Sequence, residues 1–459
     1  MSVRMLHCDA AVIGAGPGGV TAALAAARQG AKVVLAERNG HLGGNLVMGL
    51  PLLGFLDQDG RQIIGGIAQE LVDDLIQAGH CYGHSRCPMH NSITILHPEM
   101  LKLLLFNKCR EAGIHLLLHS ELTDVFVAGG KLNRVTMTGK GMHTGIQADV
   151  FIDATGDGDL GYLCGAAHEK GAAGTGVMQP PTVMFSLAGV EEEKFFAFLD
   201  AHPENMRQLE SVTVSEGYNT SLWRSTPNHV FVGMQAYLEQ LRREHDLPVL
   251  RENIIFINST LPGKVFVNTV RVPGCDGSDI DSLTRGEIEG HLQIPGILDM
   301  FQRYVPGFEH CHLDSISPAI GIRESRRFAG VDTLRIGQVL DGIIPGDAIA
   351  LGGYKVDIHN GEGSGTILKE VKKPYGIGMG CLISRDIDGL LFSGRCISMD
   401  SESLGSQRIM PTCMAVGEAA GILAAKASLG HISVSAVKAK DVQEALISKG
   451  AILSIRMNK

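Results

Sequence analysis

The chain has 459 residues, which is long enough for two or three domains with well-buried cores. Hydrophobic residues make up 44% of it and charged residues 19%, and the formal net charge is −9 with no block of lysine or arginine. This acidic balance argues against a nucleic-acid-binding protein, which normally carries a basic face. Apolar runs stay well short of about 18 residues, so no membrane span is expected, and the lack of a signal-peptide pattern predicts a cytoplasmic protein. The 10 cysteines contain no C-x-x-C pair, so we predict reduced thiols and no metal site.

The first part of the chain predicts a β-α-β unit. Residues 8–14 are typical of a short buried strand, residues 20–29 of an alanine-rich helix, and residues 32–36 of a second apolar strand. A glycine-rich turn joins the first strand to the helix, and an acidic residue follows the second strand. This order is typical of a mononucleotide-binding fold.

The glycine-rich turn carries the pattern G-x-G-x-x-G. Gly14 permits the tight turn, Gly16 lets the backbone approach a pyrophosphate, and Gly19 lets the helix pack closely on the strand. The helix N-terminus offers unpaired N–H groups and a positive dipole to phosphates, and Glu37 accepts hydrogen bonds from ribose hydroxyls. The sequence therefore predicts a dinucleotide site, which also includes Pro17, Gly18 and Arg38.

Residues 81–91 form a polar, glycine-bearing segment between two predicted helices. Two interpretations stay open. The segment is either a loop that lines a ligand pocket or a solvated connection. In the first case the candidate side chains are His84, Cys87 and His90.

The next two motifs are built from strands. Residues 116–127 and 132–138 predict a β-hairpin. Residues 150–153 predict a strand that ends in a turn rich in glycine and aspartate at 154–159. Near the end of the chain, residues 387–396 again predict a buried strand.

The middle of the chain, residues 175–374, differs from the rest in its sequence pattern. It contains clustered aromatic residues and short β-like runs. We interpret it as an α+β substrate domain inserted into an α/β domain formed by residues 1–174 and 375–459. A helix is predicted to start within 281–287, where Thr284 and Glu287 have the spacing of a capping box.

Two features near the end of this middle segment could carry chemistry. Arg323 and Arg326 belong to a stretch with three arginines in five residues, and guanidinium groups hold carboxylates bidentately. If residues 356–360 form a strand, Asp357 and His359 share one face, and a carboxylate-supported histidine is a natural base. The alternatives are an arginine–glutamate network that anchors a domain interface or touches a cofactor phosphate, and a histidine that serves packing alone.

Several segments together resemble the FAD-dependent oxidoreductase family, within the flavoproteins that have two dinucleotide-binding domains. The resemblance covers nearly the whole chain. It is carried by the paired glycines Gly43-Gly44-Asn45, the turn Ala154-Thr155-Gly156-Asp157, the interior stretch 321–327, Gly394-Arg395 and the R-x-M-P-T-C-M-A segment that includes Pro411 and Thr412.

The resemblance implies a glutathione-reductase-like Rossmann fold that binds FAD. The paired glycines then run beside the pyrophosphate and ribityl chain, and Asp157 contacts the ribityl chain. A main-chain clamp on the adenine lies near Val125. The helix that begins at Pro411 and Thr412 aims its N-terminus at the flavin N1/C2 carbonyl.

The predicted function is hydride transfer between flavin N5 and a small polar substrate that bears a carboxylate or hydroxyls. Arg323 or Arg326 orients the anion, and His359 moves the proton. Residues 45–50 lack the cysteine pair of disulfide reductases, and no second dinucleotide motif supports a built-in nicotinamide site. Electrons then come from the substrate or from an external protein.

Two alternatives stay open: a fumarate-reductase-like reductase of an unsaturated acid, and a flavin-carrying electron-transfer subunit. The sequence is also compatible with a homo-oligomer, and it does not indicate the substrate.

Overall fold

The computed structural model describes residues 4–206, 217–245, 247, 251–363 and 365–455. The elements of its first part, in chain order, are β1 (Arg4–Ile13), α1 (Pro17–Arg28), β2 (Val33–Ala36), β3 (Leu52–Leu53), α2 (Gly66–Gln77), β4 (Cys81–Cys87), β5 (Asn91–Leu96), α3 (Pro98–Glu111), β6 (His115–Leu117), β7 (Glu121–Ala128), β8 (Lys131–Gly139), β9 (Met142–Asp153), α4 (Asp159–Leu163) and β10 (His168–Lys170).

The middle part contains β11 (Phe185–Ala188), α5 (Glu192–Ala201), α6 (Thr220–Ser225), β12 (Val230–Gly233), α7 (Gln235–Glu244), β13 (Ile254–Asn258), β14 (Lys264–Val267), α8 (Ile280–Tyr304), β15 (His312–Ile316), β16 (Arg326–Phe328), α9 (Ile336–Asp341), β17 (Ala348–Gly352), β18 (Val356–His359) and β19 (Thr366–Lys369). The last part contains β20 (Tyr375–Gly378), β21 (Leu390–Phe392), α10 (Ser401–Gln407), α11 (Met410–Leu429) and α12 (Ala439–Ser448).

A seven-stranded sheet forms the centre of the first core. Its order is β6-β2-β1-β9-β8-β7, and β21 pairs with the last residues of β9. Strands β6, β2, β1, β9 and β21 are parallel, which confirms the predicted α/β core and the predicted strands. Ile13 lies level with Ala36 and Asp153, and Asp153 lies level with Phe392. The carboxyl ends of four parallel strands therefore meet at one edge, where ligands bind in open α/β sheets.

Helices α1 and α11 pack against each other with almost no side chain between them. A Cβ at Gly417 would overlap the carbonyl oxygen of Gly18, and one at Gly421 would overlap that of Ala22. The hydroxyl of Thr21 donates to the carbonyl of Met414 at 2.8 Å. Helix α11 is long and apolar enough to span a membrane, but 83% of the relevant window is buried inside the protein, as in a core helix.

A five-stranded antiparallel sheet, β12-β13-β14-β11-β15, forms the centre of the second core. One of its faces carries a cluster of buried phenylalanines, namely Phe195 from α5 with Phe231, Phe256 and Phe308. The boundaries proposed at residues 174 and 374 remain predictions. Ile349 and Leu351 of β17 pack in the first core, not in the second.

The segment 81–91 is not the loop that the sequence suggested. Its residues form strand β4 and the turn to β5, within the three-stranded sheet β3-β5-β4. Residues on β4 alternate between buried and exposed, but the buried positions are cysteine, glycine and serine. Because these residues do not give the usual Val/Ile alternation, the strand has no clear signal in the sequence.

The predicted capping box is also wrong, although the helix is present. Helix α8 begins at Ile280, and the side chain of Asp279 accepts from the N–H of Ser282 at 2.8 Å. The hydroxyl of Thr284 donates to the carbonyl of Ile280 inside the helix, and Glu287 accepts from the N–H of Ile320. The observed N-cap, Asp279, lies five residues before Thr284. Aspartate caps a helix as well as threonine does, so the sequence offered two possible caps.

We expect Gly421→Ala to destabilise the protein by about 2 kcal/mol, because the added methyl group must push α11 away from α1. Gly337→Ala, in α9, is the matched control: it places a methyl group where the described chain has no heavy atom within 4 Å. This control should leave the stability unchanged or slightly higher. Urea unfolding followed by circular dichroism measures both. Equal midpoints for the two variants would contradict the close helix contact.

Candidate active site

The glycine turn has the geometry of an anion-binding cradle. Gly14 follows β1 with a φ of +94°, and its N–H donates to the carbonyl of Ala36. A Cβ at Gly19 would overlap the Gly14 carbonyl, which confirms the close packing of helix on strand. At Gly16, the N-cap of α1, a Cβ would meet no heavy atom of the described chain within 4 Å. The open surface above Gly16 and the N–H groups of α1 fit a pyrophosphate.

Glu37 directly follows β2 and stabilises this turn. Its carboxylate accepts from the N–H of Ala15 at 2.7 Å and from the N–H and the side chain of Asn39, each at 2.8 Å. The neighbouring Arg38 side chain is exposed. The chain beside Glu37 is Leu117 to Ser120, whereas Val125 lies further along, opposite Val135 in the β7–β8 hairpin.

The second half of the cradle comes from the end of the chain. Strand β21 leads into Ser393 and Gly394, and a Cβ at Gly18 would contact both. In the described part of the chain, the buried hydroxyls of Ser393 and Thr412 have no hydrogen-bond partner. Buried polar atoms are normally satisfied, so these two hydroxyls fit a ligand that carries hydrogen-bonding groups. The paired glycines complete this region, since a Cβ at Gly44 would lie 3.0 Å from the Cα of Gly16.

The turn after β9 connects the two halves. The Ala154 N–H donates to the Ile13 carbonyl at 2.8 Å. Asp157 accepts from the guanidinium of Arg395 and from the hydroxyl of Ser325, each at 2.8 Å. A Cβ at Gly156 would lie 3.0 Å from the same guanidinium. Asp157 thus holds together three segments that are far apart in the sequence.

A large cavity lies between this cradle and the second sheet, with an empty volume of about 1470 Å³ that includes its open mouth. Asn45, Arg395 and Met410 line it on the side of the cradle. Residues of β12 and β13 line the opposite wall. The cavity is therefore continuous with the place where the two halves of the cradle meet.

Asp357 and His359 lie on one face of β18, as predicted, and both line the cavity. The Nε2 atom of His359 lies 3.4 Å from the carboxylate of Asp357, and its Nδ1 atom lies 3.0 Å from the hydroxyl of Thr366. The other oxygen of Asp357 accepts from Arg408 at 3.2 Å.

Burial lowers the pKa of His359 to about 3, with Arg323 acting in the same direction and Asp357 opposing it. Burial also disfavours the Asp357 carboxylate, but the hydrogen bond with His359 and the positive charges of Arg408 and Arg323 outweigh burial and hold its pKa well below the usual range. At neutral pH the pair is therefore an unprotonated imidazole beside a carboxylate. That arrangement can accept a proton.

The two candidate arginines have different surroundings. Arg323 lines the cavity, and its guanidinium donates to the carbonyl of Pro180 and to the side chain of Asn268. Arg326 lies outside the cavity: it donates to Asp159 at 2.9 Å and stacks on Tyr162. Of the two, Arg323 alone is placed to meet a ligand in the cavity, while Arg326 belongs to a structural network.

The cavity also contains residues for which the sequence gave no separate indication. Arg251, Asn268 and Arg408 line it, although only Arg408 belongs to a segment that carried the family resemblance. In the segment 81–91, His90 reaches the cavity, with its Nδ1 atom 3.4 Å from the Cys87 sulfur. Burial raises the pKa of Cys87 to about 11, so this side chain is a neutral thiol. His84 instead stacks on Phe55 away from the cavity.

Comparisons with known proteins agree with this geometry. A family model described as FAD dependent oxidoreductase matches residues 9–446. A thiamine thiazole synthase from Thermococcus kodakarensis is 27% identical over 164 residues, which are 34% of this chain. The chain spans about 60% of the length of that relative.

Among solved structures, the flavin-dependent brominase Bmp2 superposes with a TM-score of 0.47 at 13% identity, over 96% of this chain and 83% of the brominase. The p-nitrophenol 4-monooxygenase PnpA from Pseudomonas putida DLL-E4 gives a TM-score of 0.46 at 9% identity, over 97% of this chain and 84% of the monooxygenase.

We expect Gly16→Ala to weaken FAD binding about 10-fold or more without changing the stability of the apoprotein. The backbone φ of Gly16 is −71°, which alanine adopts freely, so the methyl group would interfere only with a ligand above the turn. Titration of the apoprotein with FAD, followed by flavin fluorescence, measures the affinity. Gly346→Ala, also in open space, is the control. If Gly16→Ala bound FAD as tightly as this control, the pyrophosphate would not lie at Gly16.

Proposed function

The chain belongs to the family of FAD-dependent oxidoreductases, and we propose that it transfers a hydride between FAD and a small anionic substrate held in the cavity. Its cofactor is FAD, and bound FAD supplies hydride chemistry at flavin N5. The residues proposed to hold FAD are those of the cradle: Gly14, Gly16, Pro17, Gly18, Gly19, Glu37, Arg38, Gly43, Gly44, Asn45, Val125, Ala154, Gly156, Asp157, Gly394, Arg395, Pro411 and Thr412.

The observation that carries the proposal is that Arg323 and His359 line the same cavity as Asn45 and Met410 of the cradle. A guanidinium binds an anion and orients it, and a neutral imidazole accepts a proton. Arg323 is buried and the His359 side chain is only 10% exposed, so little water reaches either group and their electrostatic effect on a substrate is strengthened. The cavity thus combines anion binding with proton acceptance beside the cofactor site.

Asp357 and Thr366 determine which nitrogen of His359 acts. Because a carboxylate only accepts hydrogen bonds, Nε2 carries the proton that faces Asp357, and Nδ1 keeps its lone pair. The Nδ1 atom then takes the proton of a substrate hydroxyl, directly or through the hydroxyl of Thr366. Asp357 stabilises the imidazolium that forms, and Arg408 keeps Asp357 in place.

Anion binding makes His359 a stronger base. The positive charge of Arg323 lowers the pKa of His359, in addition to the larger effect of burial. A carboxylate bound to Arg323 neutralises that charge, so it raises the basicity of His359 when substrate is present.

The cytoplasmic location and an external protein as electron partner, which the sequence suggested, belong to the same proposal.

The test is anaerobic stopped-flow reduction of the bound flavin by glycerol, lactate or 2-hydroxyoctanoate. We expect one of the two hydroxy acids, lactate or 2-hydroxyoctanoate, to bleach the flavin. We expect His359→Asn to slow this step about 100-fold with little change in substrate affinity. Arg323→Gln should instead weaken substrate binding about 10-fold or more. In the wild type, the reduction rate should fall as the pH drops through the pKa of His359, which is about 3 in the free protein and rises when a bound carboxylate neutralises Arg323.

The control is Arg285→Gln, an exposed side chain on α8 that should leave both parameters unchanged. A fall in rate on acidification that persists unchanged in His359→Asn would contradict the assigned role of His359. Bleaching by a partner protein alone, with every small molecule inactive, would favour an electron-transfer subunit.

A further inference from the structure

Two buried arginines in the cavity are both bonded to one residue, Asn268. The guanidinium of Arg251 donates to the Asn268 carbonyl at 2.9 Å, and that of Arg323 donates to the Asn268 side chain at 3.5 Å. Arg251 is 4% exposed and Arg323 is 9% exposed, and both line the cavity. Asn268 is itself held by its N–H, which donates to the Ile255 carbonyl at 2.9 Å. The pair is therefore built into the second sheet.

Within the described ranges, neither Arg251 nor Arg323 has a carboxylate within 4.0 Å of its guanidinium. Their hydrogen-bond acceptors are carbonyl and amide oxygens instead. Two other buried arginines do have carboxylate partners: Arg326 pairs with Asp159 at 2.9 Å, and Arg327 pairs with Glu324 at 2.8 Å. The partly buried Arg395 pairs with Asp157 at 2.8 Å. Arg271, which also lacks one, lies outside the cavity and donates to the carbonyls of Asn360 and Gly363.

A buried cation without a counter-ion is costly. Burial lowers the pKa of Arg323 well below its usual value, with the nearby Arg251 as the next cause. Burial likewise lowers the pKa of Arg251 to about 10. Arg251 thus disfavours the charged form of Arg323, and Arg271 does the same to Arg251. The more distant carboxylate of Asp357 offsets part of this cost for both Arg251 and Arg323. An anion bound to both Arg251 and Arg323 would reduce the electrostatic cost of these buried charges. The cavity gives a ligand access to the two arginines.

The wall next to these arginines is aliphatic. Val230 pairs with Ile257, and Val232 pairs with Ile255, so these four side chains share the face of β12 and β13 that lines the cavity. The intervening phenylalanines of both strands point to the other face, into the second core. Strand β13 begins three residues after Arg251, so Arg251 lies next to the first residues of this aliphatic face.

We infer that the substrate is a monocarboxylic acid with an apolar body. Its carboxylate binds Arg251 and Arg323, and its body lies on the aliphatic face of β12 and β13. This inference rests on the proposed function, whose substrate class it narrows.

The charges around the cavity explain why one carboxylate is favoured over two. The two other arginines that line the cavity already have carboxylate partners, since Arg408 pairs with Asp357 and Arg395 pairs with Asp157. The aliphatic wall offers no hydrogen-bond donor to a second carboxylate. A dicarboxylate would therefore lose the hydration of its second charge without compensation.

The experiment compares three probes of equal length on the FAD-loaded protein: octanoate, octanamide and octanedioate. Calorimetry and the perturbation of the flavin absorbance give the dissociation constants without any turnover. We expect octanoate to bind about 10-fold or more tightly than either of the others, since octanamide lacks the charge and octanedioate buries a second one.

Arg251→Gln and Arg323→Gln should each remove the preference for octanoate over octanamide. Arg323→Lys keeps the charge and should retain part of that preference, which separates charge recognition from misfolding. The exposed Arg285→Gln is the control and should bind as the wild type does. On the apolar wall, Ile255→Thr should weaken octanoate binding several-fold but leave acetate binding unchanged.

Two results would overturn the inference: octanamide binding as tightly as octanoate, or octanedioate binding most tightly. The redox assay separates this inference from the proposed function. If octanoate binds as expected but no hydroxy acid reduces the flavin, the substrate class stands and hydride transfer fails. If a neutral alcohol reduces the flavin and octanoate does not bind, hydride transfer stands and the substrate class fails.

Discussion

The close contact between α1 and α11 is the constraint on which the rest of the structure depends. The two helices touch through backbone, at Gly18 with Gly417 and at Ala22 with Gly421. Side chains larger than hydrogen at the two glycines of α11 would separate the helices. Because α11 begins at Met410, this contact brings the N-terminus of α11 and the strand β21 next to the first glycine turn. The proposed cofactor site, which uses both ends of the chain, depends on this close approach of the helices.

The catalytic groups proposed above lie in the cavity between the cradle and the second sheet. The carboxyl ends of β1, β2, β9 and β21 form the floor of the cofactor site, and the second sheet lies across the cavity from it. The reacting groups come from neither sheet. His359 is at the end of the two-stranded ribbon β18–β19, and Arg323 precedes β16. Such short, late elements position side chains over a site that the larger sheets have already formed, so their chemistry can differ while the cradle stays the same.

The parts of the fold that sequence predicted are those with strong local signals. The β-α-β unit combines two apolar strands with a glycine turn, and residues 356–359 alternate in the way that places Asp357 and His359 together. Strand β4 was missed because its buried residues are small, and Asp279 was missed as a cap because Thr284 gave a competing pattern. The functions of Arg323 and Arg326 could not be separated from sequence, since they depend on contacts with distant residues, namely Asn268 in one case and Asp159 and Tyr162 in the other. Arg251 has no motif around it, and only the pairing of β13 with β14 brings it to Asn268.

We expect FAD bound in the divided cradle to present its flavin ring to the cavity that Arg323 and His359 line. A crystal structure of the FAD-loaded protein tests this directly. We expect the pyrophosphate above Gly16, at the N-terminus of α1, and the ring beside the N-terminus of α11 with one face open to the cavity. A ring that faces away from Arg323 and His359, or a pyrophosphate bound away from Gly16, would show that the cradle and the cavity do not form one active site.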